Sequence, residues 1–267
     1  MSILDALDPR YRLILCDIWG VVHDGVTLYS GVTKRLRQWR GEGRCVALIT
    51  NAPRPAAAVE RQLARLGLPR DAYDFVATSG EAGITALAAL DMPVGFVGTA
   101  GDRAILEERG VRIADDEAFT QLACTGITES RPDPEEYRAD LERWATRGVI
   151  FHCLNPDRVV VRGGVREACA GAIADIYEAL GGSVVWYGKP YRPIYVHALD
   201  RAGRPPVDGV LAIGDGLRTD MLGAAQMGFD AIFVSGGIHA GEPFPADFAE
   251  EYGVGGWAPM GVVEGLS

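Results

Sequence analysis

Five side chains of this 267-residue chain have the types and the order needed to transfer a phosphoryl group. They stand in the segments DIWG, ITNAPR, GKP and IGDGLRTD, and they are Asp17, Thr50, Lys189, Asp215 and Asp220. A carboxylate can attack phosphorus to give an aspartyl phosphate if a metal cation and a lysine offset the charge of the incoming dianion. The set therefore indicates an Mg²⁺-dependent site with an aspartate nucleophile.

Three of these segments have predicted tasks at the reacting phosphate. Asp17 is the candidate nucleophile, and Lys189 is expected to pair with the phosphate and to keep Asp17 ionised. Thr50 and the backbone N–H groups that follow it, from Asn51 onward, are expected to hold the phosphoryl oxygens. The lysine is thus predicted to serve both catalysis and phosphate binding.

The fourth segment supplies two further carboxylates. Asp215 offers the hard oxygen ligand that Mg²⁺ prefers, and Asp220 could hold a water on the cation. Thr219 is the predicted N-cap of the helix that carries Asp220, and Gly228 is the predicted residue that ends it. Alone, each aspartate is more often a turn or cap residue, but four segments in order, each at a predicted strand end, favour a site.

Short apolar segments that end in polar or glycine-rich turns predict buried strands. They are LILC before Asp17, CVALI before Thr50, FVA before Thr78, VLAI before Gly214 and AIFV before Ser235. Helical patterns lie between them, as at 32–39 and 56–66. This alternation predicts an α/β fold with a parallel sheet covered on both faces, and the ligand site of such a sheet lies at the carboxyl ends of its strands.

The stretch 91–183 has strand and helix patterns of its own. Its helices are predicted near 101–109, 134–145 and 166–180, with apolar strand segments between them. We therefore predict an inserted α/β domain at 91–183, between core segments at 1–90 and 184–267.

Composition restricts the partners that the chain could have. The formal charge is −10, and the 26 Lys and Arg residues form no basic run, which disfavours nucleic acid and anionic membranes. No secretion signal is visible, and no apolar run reaches the roughly 18 residues of a membrane-spanning helix. We expect a cytoplasmic protein, whose five cysteines are reduced core residues.

The motifs resemble those of the haloacid dehalogenase (HAD) superfamily. The matching segments are CDIWGVVHDG, LITNAPR, FVATSGEA, FHCLNPD, YGKPYRPIY and IGDGLRTDMLGAAQMG. Their details are similar to those of the class IIA branch, which contains nucleotide, nitrophenyl and pyridoxal phosphate phosphatases. The resemblance implies a Rossmann-like, doubly wound core with an inserted C2-type cap domain, and hydrolysis of a small phosphorylated metabolite. Class IIA relatives also suggest a homodimer formed through the cap.

The resemblance also implies a ligand set. Mg²⁺ would be bound by Asp17, by the backbone carbonyl of Trp19 and by Asp215, while Asp220 would act mainly through water. In the same way, Arg54 would reach the substrate phosphate or its surroundings. Asn155, in the CLNPD segment, resembles a cap residue that closes over the substrate, and an ordinary Asx-Pro turn is the alternative.

Trp19 departs from the family pattern. The family carries an Asp at this position, which protonates the leaving oxygen and later activates water, a contribution of typically 10² to 10⁴ in rate. A tryptophan can do neither. His23 or Asp24 could replace this acid, although a loop role for both is the alternative.

Trp19 is also compatible with two hypotheses that need no replacement acid. The leaving group could depart without a proton, as with an acyl phosphate, a phosphonate or a halide, and the halide is disfavoured because Asp215 and Asp220 are both retained. Alternatively, the chain could bind phosphate or a nucleotide without catalysis. That hypothesis is disfavoured because binding alone does not require Asp17.

Overall fold

The structure, a computed structural model, describes residues 2–162, 165–237 and 243–267. Its strands are β1 Leu13–Asp17, β2 Cys45–Thr50, β3 Phe75–Thr78, β4 Gly95–Val97, β5 Gln121–Cys124, β6 Ile150–Cys153, β7 Val159–Arg162, β8 Val165–Ala168, β9 Ser183–Trp186, β10 Val210–Gly214, β11 Asp230–Val234 and β12 Gly261–Val263. Its α-helices are α1 Val32–Gly41, α2 Ala56–Arg65, α3 Ser79–Ala88, α4 Ala100–Glu108, α5 Arg138–Thr146, α6 Ala170–Ala179, α7 Arg192–Arg201, α8 Leu222–Met227 and α9 Phe248–Glu251. Among these residues, every helix is too short or too polar to cross a bilayer.

The chain forms two compact units. The first comprises Met1–Thr50, Ala56–Ala77 and Lys189–Ser267, and the second comprises Asn51–Pro55 and Thr78–Gly188. The second unit thus interrupts the first twice along the chain.

The second unit is longer than the predicted insert at 91–183. It begins earlier because Ile84 and Leu87 of α3 are buried in the same core cluster as Val94 and Leu106. It ends later because β9 pairs in parallel with β6, which ties the residues that precede Lys189 to the second sheet.

The first unit is built around a parallel sheet with β1 near its centre. The strand order is β12-β11-β10-β1-β2-β3, and β1 pairs in parallel with both β2 and β10. The chain moves outward from β1 to β3 and returns on the other side of β1 at β10, so a topological switch point lies between β1 and β10. The predicted α/β class, with a doubly wound parallel sheet, is confirmed.

Apolar strands and helix faces make the core of the first unit. Every residue of β1 and of β10 is buried, as expected for strands covered on both faces. In α2, the buried residues are Val59 and Leu63, four positions apart, which form one helical face. All five cysteines are free thiols, as predicted. Cys16, Cys124, Cys153 and Cys169 are buried, whereas Cys45 is only partly buried against the core of the first unit.

The second unit has a four-stranded parallel sheet and a separate hairpin. The sheet order is β4-β5-β6-β9, and β7 pairs antiparallel with β8. The helix predicted at 166–180 begins only at Ala170, because Val165–Ala168 pairs with Val159–Arg162 instead. The helix predicted at 134–145 is a 3₁₀ turn, Pro134–Tyr137, followed by α5.

A buried histidine links two strands of the second sheet. Nδ1 of His152 lies 2.9 Å from the Tyr187 hydroxyl, and its Nε2 lies 2.7 Å from Oε1 of Gln121. Because the Gln121 oxygen can only accept, Nε2 carries the proton and Nδ1 accepts from Tyr187. Burial lowers the pKa of His152 to about 4.

We expect His152 to make the protein less stable in mild acid. The pKa of histidine is about 6.5 in an unfolded chain, so the unfolded state binds a proton at His152 below that pH. In the folded state His152 stays neutral down to about pH 4. Stability is therefore lost as pH falls from 6.5 towards 4, by at most roughly 3 kcal/mol. His152→Gln keeps a donor and an acceptor but cannot titrate, so its melting temperature should fall less than that of wild type between pH 7.5 and 5. Equal falls in the two proteins would contradict the prediction.

Candidate active site

Three predicted residues lie at the carboxyl edge of the first sheet because of strand register. Asp17 ends β1 opposite Ile49 of β2, so Thr50, which ends β2, comes one position later. On the other side of β1, Cys16 pairs with Ile213 of β10, and Asp215 follows that strand directly. The sheet therefore brings Asp17, Thr50 and Asp215 to one edge, at the switch point between β1 and β10.

Lys189 lies between two of the predicted carboxylates. Its Nζ donates to Oδ1 of Asp17 at 2.5 Å and to Oδ1 of Asp220 at 2.8 Å. The three side chains are at least nine-tenths buried, so water screens this contact weakly. The predicted pairing of lysine and nucleophile is thus present in the structure.

The charges in this cluster are not balanced. Burial raises the pKa of Asp17 well above its usual range, and Asp220 raises it further. Lys189 lowers the pKa of Asp17, as predicted, but it does not outweigh those two effects. Burial would lower the pKa of Lys189, yet Asp17 and Asp220 together raise it, so the side chain stays an ammonium.

Three carboxylates of the first unit are arranged to hold a cation. Single oxygens of Asp17, Asp215 and Asp220 lie within 4.8 Å of one another, and all three residues are buried. Two of them, Asp17 and Asp220, form ion pairs with the ammonium of Lys189. Hard oxygen donors with excess negative charge are the set that Mg²⁺ prefers, so the residues present fit this ion.

Two glycines leave room for the Asp215 carboxylate. A Cβ at Gly20 or at Gly237 would lie 2.0 Å from Oδ2 of Asp215. Gly20 also has a φ of +84°, which side chains rarely adopt. The glycine of DIWG is therefore required both by the turn and by its carboxylate neighbour.

Asp220 is carried by a π-helical turn that the sequence did not indicate. Leu217–Met221 forms the turn, and the N–H groups of Asp220 and Met221 both donate to the Gly216 carbonyl. The prediction that Thr219 is the N-cap is wrong, because the N-cap position is Gly216 and the helix begins before Thr219. The predicted end is confirmed, since Gly228 follows α8 with a φ of +72°.

Sequence reasoning missed the groups that hold Asp220 in place. The Thr219 hydroxyl donates to Oδ2 of Asp220 at 3.1 Å, and the Gly216 N–H donates to the same oxygen at 3.2 Å. The Tyr195 hydroxyl donates to the Thr219 carbonyl of the same turn at 3.5 Å. The run GLRTD, with its glycine and hydroxyl close to an aspartate, was the only local signal of these contacts.

The loop after Asp17 uses its titratable residues to hold its own backbone. Nδ1 of His23 accepts from the Gly25 N–H at 2.9 Å, and burial lowers the pKa of His23. Asp24 accepts from the N–H groups of Val26 and Thr27, contacts that lower its pKa. Both residues thus have the loop roles that were the alternative to acid catalysis. The Trp19 side chain is 43% exposed.

The other predicted phosphate-binding residues belong to the second unit. Asn51 is buried and donates from Nδ2 to Oδ1 of Asp157 at 2.8 Å. Arg54 is exposed. Oδ1 of Asn155 accepts from the Asp157 N–H at 3.2 Å, so NPD forms an Asx-Pro turn. Substrate binding by Asn155 stays a prediction.

Sequence profiles of known families match both ends of the chain. A profile described as haloacid dehalogenase-like hydrolase matches residues 14–112, and one described as HAD-hydrolase-like matches residues 186–254. Between them, the two matches contain every member of the predicted catalytic set, namely Asp17, Thr50, Lys189, Asp215 and Asp220.

Several known proteins are similar to the chain over most of its length. A haloacid dehalogenase-like hydrolase from Brucella suis 1330 is 36% identical, with a TM-score of 0.83, and the match covers 99% of this chain and 98% of that one. Ribonucleotide monophosphatase NagD of Escherichia coli K12 is 28% identical over 232 residues, which are 84% of this chain and 88% of NagD. A glycerol phosphate phosphatase from Mycobacterium tuberculosis, solved in complex with magnesium, shares the fold at 23% identity and a TM-score of 0.74, over 99% of this chain and 77% of that one.

Proposed function

Because the chain belongs to the haloacid dehalogenase-like hydrolase family, we propose that it is an Mg²⁺-dependent phosphatase that acts on a small phosphorylated metabolite. The observation that carries the proposal is the contact of Lys189 with Asp17 beside two further buried carboxylates. The similarity to NagD, which is named as a phosphatase, supports this reaction and agrees with the predicted class IIA branch.

Asp17 acts as the nucleophile in the proposed reaction. One of its carboxylate oxygens attacks phosphorus, and the bond from phosphorus to the leaving group breaks with its electron pair on the leaving group. Water then attacks phosphorus in the aspartyl phosphate, which releases inorganic phosphate and restores the Asp17 carboxylate. The Lys189 ammonium stays beside Asp17 and offsets the phosphoryl charge, while the Thr50 hydroxyl donates to a phosphoryl oxygen.

The three clustered carboxylates, Asp17, Asp215 and Asp220, would hold the Mg²⁺. The Trp19 carbonyl stays a predicted fourth ligand, on the strength of the family resemblance. When bound, the cation supplies positive charge that offsets both the substrate dianion and the carboxylates.

Other expectations from the sequence remain part of the proposal. Asn51, Arg54 and Asn155 stay predicted contributors to phosphate and substrate binding. A small metabolite, rather than nucleic acid or a membrane, fits the acidic net charge of −10. We also propose a cytoplasmic location and a homodimer formed through the second unit.

Hydrolysis of p-nitrophenyl phosphate with Mg²⁺ and with excess chelator tests this function. We expect turnover that chelator abolishes and added Mg²⁺ restores. Asp215→Asn should be inactive in full Mg²⁺, whereas Asp175→Asn, which changes a carboxylate on the exposed face of α6, should behave as wild type. Binding of phosphate and Mg²⁺ without any turnover would support a binding protein instead. Turnover in excess chelator would contradict the proposed Mg²⁺ dependence.

We expect Gly20→Ala to weaken Mg²⁺ binding by about tenfold or more, the usual cost of disturbing a group that orients a metal ligand. The added methyl group would lie 2.0 Å from Asp215 Oδ2 and would displace that carboxylate. Gly43→Ala is the matched control, because Gly43 has a similar φ of +82° but nothing within 4 Å of its Cβ position. Calorimetric titration with Mg²⁺ measures both variants, and equal affinities would contradict the prediction.

The loop after Asp17 favours a narrower function, the hydrolysis of substrates whose leaving group needs no proton. Trp19 cannot donate a proton to a leaving group, and His23 and Asp24 are engaged by loop backbone N–H groups. A phosphatase with this loop is best suited to leaving groups that depart without a proton, such as the carboxylate of an acyl phosphate. Phosphonates are a second substrate class of this kind, and halides remain disfavoured.

A further inference from the structure

The turn formed by residues 155–157 contacts the residue that follows Thr50. Nδ2 of Asn51 donates to Oδ1 of Asp157, although 106 positions separate them in the chain. Asn51 is 6% exposed, so this amide-to-carboxylate contact is shielded from water, and a bond with an ionised acceptor is among the stronger hydrogen bonds.

The same turn also contacts the residue that precedes Lys189. A Cβ at Gly188 would lie 2.5 Å from the ring of Pro156 and 2.5 Å from Oδ1 of Asn51. The Asn51 side chain is therefore held on two sides, by Asp157 at its nitrogen and by the Gly188 backbone at its oxygen. One turn of the second unit thus fixes the neighbours of two predicted catalytic residues.

The rest of the segment 51–55 is held by the start of α3. The Gly80 N–H donates to the Ala52 carbonyl at 3.0 Å, and the Thr78 hydroxyl donates to the Arg54 carbonyl at 2.6 Å. A Cβ at Gly80 would lie 2.2 Å from the backbone of Pro53. Since Pro53 and Pro55 each have a fixed φ, the Asn51 contact completes the restraint of a short, stiff segment.

We propose that Asp157 is a positioning residue for phosphate binding, acting through Asn51 on the backbone that follows Thr50. This inference rests on the proposed function, in which Thr50 and the N–H groups after it hold the phosphoryl oxygens. Asp157 and Gly188 hold the Asn51 side chain, and through it they restrain the backbone N–H groups of residues 51–55. The role of the Asn51 side chain is then to transmit this restraint, rather than to bind the phosphate through its own Nδ2.

A double-mutant cycle between Asn51 and Asp157 tests the inference. We expect Asp157→Ala to lower kcat/KM for p-nitrophenyl phosphate by about tenfold or more, since small displacements of binding groups have large kinetic effects. The inhibition constant for inorganic phosphate should rise in parallel. Asn51→Ala should have the same effect, and the double variant should be no worse than either single variant.

Two further variants separate positioning from a loss of folding. Asp157→Asn can still accept from Asn51, so it should recover most of the activity that Asp157→Ala loses. Asp175→Ala removes the carboxylate that binds Arg158, the next residue in the chain, and should leave kcat/KM unchanged. Melting temperatures of all variants, measured beside the kinetics, show whether each is folded.

Three results would overturn the inference. One is a folded Asp157→Ala variant with wild-type kcat/KM, and another is failure of Asp157→Asn to restore activity. The third is a double variant whose loss of kcat/KM equals the product of the two single losses, with the larger loss in Asn51→Ala. That result would make Asn51 a direct phosphate ligand. If the wild-type protein shows no turnover, the proposed function is wrong. The positioning role of Asp157 is then tested by measuring the affinity of the same variants for inorganic phosphate by calorimetry.

Discussion

Asp17→Asn is expected to abolish hydrolysis of p-nitrophenyl phosphate, with kcat falling by about 10³-fold or more, as when an enzyme loses its nucleophile. An amide oxygen is a poor nucleophile and cannot form the acyl phosphate. The change is nearly isosteric, and Lys189 keeps its contact with Asp220, so the buried cluster retains one ion pair. Steady-state kinetics in saturating Mg²⁺ measures the loss.

Acid quenching during turnover identifies the intermediate directly. With phosphate-labelled substrate, wild type should retain label on the protein, and Asp17→Asn should retain none. Asp17 also belongs to the carboxylate set that fits the cation, so Mg²⁺ affinity must be measured in both proteins. Full activity of the folded variant would remove Asp17 from the mechanism, whereas lost activity with unchanged protein labelling would place the nucleophile elsewhere.

Trp19→Asp is expected to raise kcat/KM for alkyl phosphates by about 10²-fold, the scale of general acid catalysis. It should change kcat/KM for p-nitrophenyl phosphate by less than about threefold, because nitrophenolate leaves without a proton and kcat/KM does not include the later attack of water. Trp19 is 43% exposed in its turn, so a smaller polar side chain there should not disturb the core. A plot of log kcat/KM against leaving-group pKa should be steep for wild type and shallower for the variant.

Trp19→Phe is the matched control for this result. It is also unable to donate a proton, and it should keep the steep dependence of wild type. If wild type hydrolyses alkyl and aryl phosphates at similar rates, another acid must be present. His23→Gln and Asp24→Asn then test the two nearest titratable residues, which the structure shows bound to loop N–H groups.

The position of the predicted catalytic set was predictable because it follows from topology. Parallel strands present their carboxyl ends at one edge, so apolar runs that end at Asp17, Thr50 and Gly214 were enough to bring distant residues together. The cluster of carboxylates that fits a cation was predictable from residue type, since clustered carboxylates suit a hard cation. Strand boundaries, residue types and the order of the elements were enough for both predictions.

Features that depend on long-range contacts were not predictable. The π-helical turn at Leu217–Met221 has the same apolar pattern as an ordinary helix, so Thr219 was wrongly assigned as its cap. Residues 166–168 were included in a predicted helix, because only the pairing of Val165–Ala168 with Val159–Arg162 makes them part of a strand. The direction of the pKa shift of Asp17 depends on its burial and on its distances from Asp220 and Lys189, which the sequence does not give. The partner of Asn51, Asp157, lies 106 positions away and could not be identified from local sequence.

The central place of β1 has a consequence for synthesis on the ribosome. Leu13 pairs with Val210, so one edge of β1 stays without its neighbour until roughly 200 more residues have been made. At about 5–20 residues per second this delay is roughly 10–40 s. The second unit is almost contiguous in the chain, from Thr78 to Gly188, and its sheet can form during that delay. The nascent chain therefore carries an unpaired apolar strand edge for tens of seconds, an interval in which a chaperone is most useful.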